Sequence, residues 1–165
     1  MQLLRELKKI IPEKERVTVN ANVLRQHGSD LTYHPPHLPD VVVYPKSKQE
    51  VSAILALANQ YRVPVTPYGT GTSLEGHVIP IRGGISLDMS MMNHILEIRP
   101  EDFLARVQPG VTRKQLNQKL KTKGLFFPID PGADASLGGM AATNASGTST
   151  VRYGMMRNQV LGMEV

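Results

Sequence analysis

Hydrophobic positions near the start of the chain recur at helical spacing. Leu3, Leu4, Leu7, Ile10 and Ile11 lie three and four residues apart, and Pro12 closes the pattern. The stretch His34-Pro35-Pro36-His37-Leu38-Pro39 can sustain neither a helix nor a central strand, so residues 1–39 read as a helix and an irregular approach segment. Val41-Val42-Val43-Tyr44, bounded by Asp40 and Pro45, predicts a buried strand. Ser47 with Glu50 three residues on has the capping-box pattern. Val51, Ile54, Leu55, Leu57 and Ala58 then give a helix its apolar stripe as far as about Tyr61. Val63–Thr66 reads as a second strand, and Gly83–Asp88 contains a third. Strand, helix and strand at this spacing predict a βαβ unit, hence a small parallel sheet with a right-handed crossover, over residues 40–89.

Beyond Met89 the texture changes. Ile95–Ile98 and Phe103–Val107 read as two strands around a turn at Pro100-Glu101-Asp102. Thr112 caps a predicted helix through Lys121, with Leu116 and Leu120 on one face and Gly124 just past its end. Ser136–Asn144 predicts a short helix of small residues, and Gln159–Val165 a final strand. The fold class is therefore α+β: a small parallel βαβ lobe, then a mixed or antiparallel α+β lobe over residues 90–165, joined near Ser90. The last predicted strand has no turn or cap behind it, so the second lobe is expected to be incomplete at its C-terminus, as in an N-terminal fragment or a truncated reading frame.

Composition narrows the function classes. Lys and Arg exceed Asp and Glu by five, a field that favours anionic ligands but is too diffuse for nucleic-acid binding, and tryptophan is absent. With no cysteine, the chain itself holds no disulfide, iron–sulfur cluster or catalytic thiol. No apolar run reaches the roughly 18 residues of a membrane span, and the N-terminal charges do not suit a secretory leader, so the expected location is cytoplasmic.

Glycine carries the strongest local signal: twelve of the fourteen lie between Gly69 and Gly154. The first cluster, Pro67-Tyr68-Gly69-Thr70-Gly71-Thr72-Ser73-Leu74-Glu75-Gly76-His77, follows the second predicted strand. Such a loop can turn successive N–H groups inward as an anion nest, aided by three hydroxyls. It is not a P-loop, because His77-Val78 stands where Lys-Ser/Thr would have to be. Leu74 occupies the third glycine's place in a Rossmann fingerprint, and Glu75 replaces the closing glycine of a nucleophile elbow. The second cluster runs from Pro131 to Gly147 almost without bulky side chains. Backbone of that kind suits close approach to something large and flat, with Thr143, Asn144 and Ser146 as polar contacts.

Together these segments resemble the FAD-binding domain of the vanillyl-alcohol oxidase/p-cresol methylhydroxylase superfamily, and within it the flavin subunit of glycolate oxidase and the D-lactate dehydrogenases. Residues 131–147 match the family's P-G-x-D-x-S-x-G-G-x-x-A-T-N-A-x-G segment at every specified position, and Arg152-Tyr153-Gly154 follows. The resemblance implies that Pro67, Tyr68, Gly69, Thr70, Gly71, Thr72, Ser73, Gly76 and His77 hold the pyrophosphate of FAD or neighbour it. It places Pro131, Gly132, Ser136, Gly138, Gly139, Ala142, Thr143, Asn144 and Gly147 on the flavin side, with Tyr153 and Gly154 near the cofactor. Some relatives attach the flavin covalently through a histidine of the first loop; Thr72 stands at that place here, so non-covalent FAD is expected. The implied reaction is hydride transfer from a small 2-hydroxy acid, glycolate or D-lactate, to flavin. Iron–sulfur or other electron-transfer subunits are implied as partners, through which the protein could sit at a membrane peripherally.

The other titratable residues carry less. His34 and His37 are separated by prolines that prevent a helical ligand pair, Asp30 reads as structural, and Asp88 reads as a turn-former or cap. No catalytic base can be placed with a carboxylate-binding arginine, and no metal site is expected. A cofactor-binding or assembly module with no turnover of its own is the alternative reading.

Overall fold

The computed structural model describes residues 2–165, which divide into two compact units, one up to Met92 and one from Asn93 onward. In the first unit, α1 (Gln2–Ile10) buries Leu7 completely and packs Leu3, Leu4 and Ile10 against the same core. A 3-10 turn at Lys14–Arg16 leads into the two-residue strand β1 (Val17–Thr18). Helix α2 (Ala21–His27) follows, its first turn capped by the Asn20 side chain, which accepts from the N–H groups of Asn22 and Val23. Then come β2 (Val41–Val43), α3 (Lys48–Tyr61), β3 (Val65–Tyr68) and β4 (Ile85–Asp88).

The strands form one sheet in the order β1-β2-β4-β3. β1 is antiparallel to β2, whereas β2 and β3 each run parallel to β4, with Val41 and Val65 both opposite Ile85. The parallel sheet is thus present, but β4 lies between the two strands that α3 connects. β3 starts two residues later than its sequence pattern suggests, so Pro67 and Tyr68 belong to the strand and not to the loop. A proline is tolerated there because β3 is an edge strand, with its other side free of ladder bonds.

Strand residues alternate between faces. Val41, Val43, Ile85 and Leu87 enter the main core with Leu7, Ile11, Ile54 and Ala58. Asp88 points the other way, onto His27 of α2. One charged clamp fixes the entry to α3. Arg16 is 2% exposed. Its guanidinium donates to both oxygens of Glu50 at 2.9 and 3.0 Å, to Glu13 at 2.7 Å and to the Tyr44 carbonyl at 3.0 Å. Ser47 caps α3 as the pattern predicts, accepting from Glu50 N–H, while the Glu50 carboxylate accepts from Lys46 N–H and from Arg16.

The second unit opens with an antiparallel hairpin, β5 (Ile95–Arg99) and β6 (Leu104–Val107). α4 (Arg113–Lys121) starts in a full capping box between Thr112 and Gln115. Three short helices follow: α5 (Leu137–Ala142), α6 (Thr150–Tyr153) and α7 (Met156–Gln159). Val111, Leu116, Leu120, Ile129, Leu137, Met140 and Met156 form their core. The expected terminal strand is not formed: Met156–Gln159 is helical, and residues 160–165 carry no regular structure. A strand requires a neighbour to complete its ladder, and among the described residues none pairs with this segment. Val160 is extended all the same, at φ −90 and ψ 117.

Candidate functional site

The first glycine cluster occupies the connection between β3 and β4, and no helix interrupts it. Gly71 and Gly76 adopt φ of 66° and 73°, a region that residues with a Cβ enter only at a cost. Both are also pressed from below. A Cβ at Gly71 would collide with the Tyr68 hydroxyl, and one at Gly76 would meet the His34 ring at 2.7 Å. Among the described residues, the backbone N–H groups of residues 70–75 find no protein acceptor. The Thr70 and Thr72 hydroxyls are bonded to each other at 3.1 Å, and the Ser73 hydroxyl pairs with Nδ1 of His77. The loop is thus rich in unspent donors.

Beneath it lies a buried polar group. Tyr68 is 8% exposed, and its ring packs against His27 with centroids 4.2 Å apart. Burial, reinforced by the Asp88 charge, raises the Tyr68 phenol above its ordinary pKa, so its hydroxyl is retained as a donor. Asp30, in the approach segment, bonds the N–H and hydroxyl of Thr32; the hydroxyl bond is the first cause holding its carboxyl below the usual range. Asp88 caps the turn after β4 as expected, accepting from Ser90 N–H at 2.8 Å, but it also binds His27 at 2.8 Å. Sequence reading missed His27, whose partner lies 61 residues away; its one local signal is a position at the end of a helix just before Gly28.

The second cluster is organised differently. Ser136 caps α5, accepting from Gly139 N–H at 3.3 Å, and its own residue is buried. Gly138 N–H donates to the Pro109 carbonyl, and a Cβ there would strike the Pro109 ring. A Cβ at Gly147 would overlap the Asp130 carbonyl. The Thr143 hydroxyl donates to Gly139 O at 3.0 Å, and Asn144, at φ 48°, accepts from Arg157 N–H at 3.1 Å. Pro131, Gly132, Ala142 and Thr143 are exposed, and Gly132 has open space around it at φ 88°. Tyr153 ends α6, stacked edge-on to Phe126 at 5.5 Å, and Gly154 follows at φ 81°. Two depressions elsewhere, one of about 370 Å³ lined by Ile95, Ile98 and Lys119 and one of about 230 Å³ lined by Leu3, Leu4 and Val41, contain none of these residues.

Against known families, residues 39–165 match an FAD binding domain. The chain belongs to that family. Among its relatives, a probable mitochondrial D-lactate dehydrogenase of Danio rerio is 52% identical over 151 residues, 92% of this chain and 30% of that protein. The glycolate oxidase subunit GlcD of Bacillus subtilis is 39% identical over 141 residues, 84% of this chain and 30% of the relative. The chain thus spans about three tenths of the length of either protein. Of solved structures, p-cresol methylhydroxylase with substrate bound superposes with a TM-score of 0.76 at 24% identity, covering 87% of this chain and 29% of that one. The fold is the p-cresol methylhydroxylase-type FAD-binding fold, and the cofactor is FAD. This structure's own chemistry fits that group. A dinucleotide brings a dianionic pyrophosphate, and the loop after β3 offers a row of N–H donors with no competing protein acceptor. No helix among the described residues is long and apolar enough to cross a membrane.

Proposed function

We propose that this chain supplies the FAD-binding half of an oxidoreductase acting on a small 2-hydroxy acid, with glycolate and D-lactate as leading substrates. The observation that carries the reading is the run of uncommitted N–H groups at residues 70–75, combined with the complete second motif. In this reading Gly69–Ser73 bind the pyrophosphate through N–H groups and the hydroxyls of Thr70, Thr72 and Ser73, with Gly76, whose N–H faces the Asp30 carboxylate, shaping the far end of the loop, Tyr68 as the floor and His77 orienting Ser73. Pro131, Gly132, Ser136, Gly138, Gly139, Ala142, Thr143, Asn144 and Gly147 serve the flavin side, with Tyr153 and Gly154 near it. Bound FAD supplies a two-electron acceptor for the hydride of the hydroxyl-bearing carbon. The protein's share is to bind, orient and shield. Electron-transfer subunits are the proposed partners, by analogy with the relative that is itself a subunit.

Thr72 stands where some relatives carry the flavin-linking histidine, and His77 is displaced from that place, so in this reading the cofactor is held non-covalently. The test is a visible spectrum of the purified protein before and after FAD addition and gel filtration, then acid precipitation. Flavin that co-elutes and is released by acid supports the reading; flavin that stays with the precipitate contradicts the Thr72 assignment, and no retained flavin contradicts the site. Dye reduction with glycolate or D-lactate then separates an enzyme from a binding or assembly module.

A further inference from the structure

His27 belongs to neither glycine segment, yet it is 1% exposed and bonded at both ring nitrogens. Nδ1 lies 2.9 Å from the Val23 carbonyl, which can only accept, so Nδ1 carries a proton. Nε2 lies 2.8 Å from Oδ2 of Asp88, whose other oxygen accepts from Ser90 N–H. A contact that short between Nε2 and Oδ2 needs one proton shared between them. The ring is therefore hydrogen-bonded at both ends and unable to turn about its own axis. The ring lies against Tyr68, centroids 4.2 Å apart and planes tilted by 42°, while Tyr44 stands edge-on at 6.0 Å. The Tyr68 hydroxyl in turn occupies the space directly under Gly71.

A buried polar pair is a costly way to fill this volume, since apolar side chains of similar size would do it at no desolvation cost. What the pair adds is a fixed ring plane. We infer that His27 is a positioning residue for the FAD pyrophosphate loop: Asp88 and the Val23 carbonyl fix its ring, its ring holds Tyr68, and Tyr68 sets the height of Gly71. The inference rests on the FAD reading above and extends it to a residue outside both motifs.

Asp88→Asn gives the discriminating background. The amide can donate to Nε2 of a neutral His27 while its oxygen keeps the Ser90 cap, so ring position is retained and the charge removed. FAD affinity, measured by fluorescence titration of the purified protein, is expected within about twofold of the unaltered protein. Adding His27→Leu to that background removes both tethers and is expected to weaken FAD about tenfold, with urea unfolding showing the fold intact. His27→Gln replaces it should leucine prevent folding. Imidazole ¹⁵N shifts report the tether directly: the Nε2 signal of His27 should move between the unaltered protein, where Nε2 shares a proton with Asp88, and Asp88→Asn, where it accepts from the amide. Equal affinity in all variants overturns the inference while leaving the FAD reading in place. A loss in Asp88→Asn as large as in the double variant overturns positioning in favour of charge. Failure of the unaltered protein to bind FAD overturns the reading itself.

Discussion

Between Thr70 and Glu75 the backbone donors are unspent, whereas between Gly132 and Gly147 many are already committed. Gly132 N–H donates to Asp130, Leu137 N–H to Val111 O, Gly138 N–H to Pro109 O, Gly139 N–H to Ser136, and Gly147 N–H to the Thr150 hydroxyl. Composition makes the two segments look alike. Their hydrogen-bond accounts do not. In the first, glycine creates a conformation that leaves N–H groups available; in the second, glycine lets strands of backbone pass within contact of each other. A glycine-rich stretch near a cofactor can thus serve the ligand directly, or it can build the wall on which the ligand rests.

Substitution at the closest backbone crossing should separate the two roles most sharply. Gly147→Ala places a methyl on the Asp130 carbonyl, and the backbone has to move. We expect a loss of about 3 kcal/mol in the second unit by urea unfolding, with FAD binding lost only in proportion to unfolding. An unchanged midpoint would show that Gly147 is not a packing glycine. Acid offers a second separation, because the Arg16 clamp belongs to the same unit as the first loop. The hydrogen bond from Arg16 holds the Glu50 carboxyl below its ordinary 4.5, aided by the N–H of Lys46. A carboxyl lowered in the folded state adds stability above its unfolded pKa and loses it as pH falls through its folded value. Stability of the first unit should therefore decline below pH 4.5. Glu50→Gln should flatten that acid limb while costing about 2–4 kcal/mol near neutrality, since Arg16 keeps Glu13. An acid limb of unchanged slope in the Glu50→Gln variant would break the account.

Effects in the first loop should be on binding more than on stability. Gly71→Ala forces a side chain into φ 66° and onto the Tyr68 hydroxyl; about tenfold weaker FAD is expected beside a stability loss of about 1–2 kcal/mol, smaller than that at Gly147. Smallest are the hydroxyls. Ser73→Ala should weaken FAD by about threefold to tenfold, the range of one hydrogen bond. Thr143→Val, whose hydroxyl is already given to Gly139 O, should change it by less than about twofold. The reverse order in a fluorescence titration would invert the comparison.

Much of this was readable from residues alone, and the exceptions have physical causes. The caps at Ser47, Thr112 and Ser136 sit where local chemistry puts them, because a cap depends on a side chain and the next three N–H groups. The hairpin of β5 and β6 is likewise local. The insertion of β4 between β2 and β3 is not, since strand order is decided by packing between distant segments. Helix α2 escaped notice because seven residues with few apolar positions make no periodic signal, although Asn20 and Gly28 mark its ends. The run at Gln159–Val165 looks like a strand by composition, but pairing, not composition, makes a strand. For the candidate site, the glycine-rich loop was legible as a loop, and the His27–Asp88–Tyr68 stack below it was not. It joins residues from three elements that meet only in the folded sheet.

The central claim is that the N–H groups of residues 70–75 hold the pyrophosphate, and amide NMR tests it most directly. Titration of the ¹⁵N-labelled protein with FAD should shift the Thr70–Glu75 amides together and slow their exchange with solvent. FAD binding that leaves those amides unshifted and exchanging as before would contradict the account.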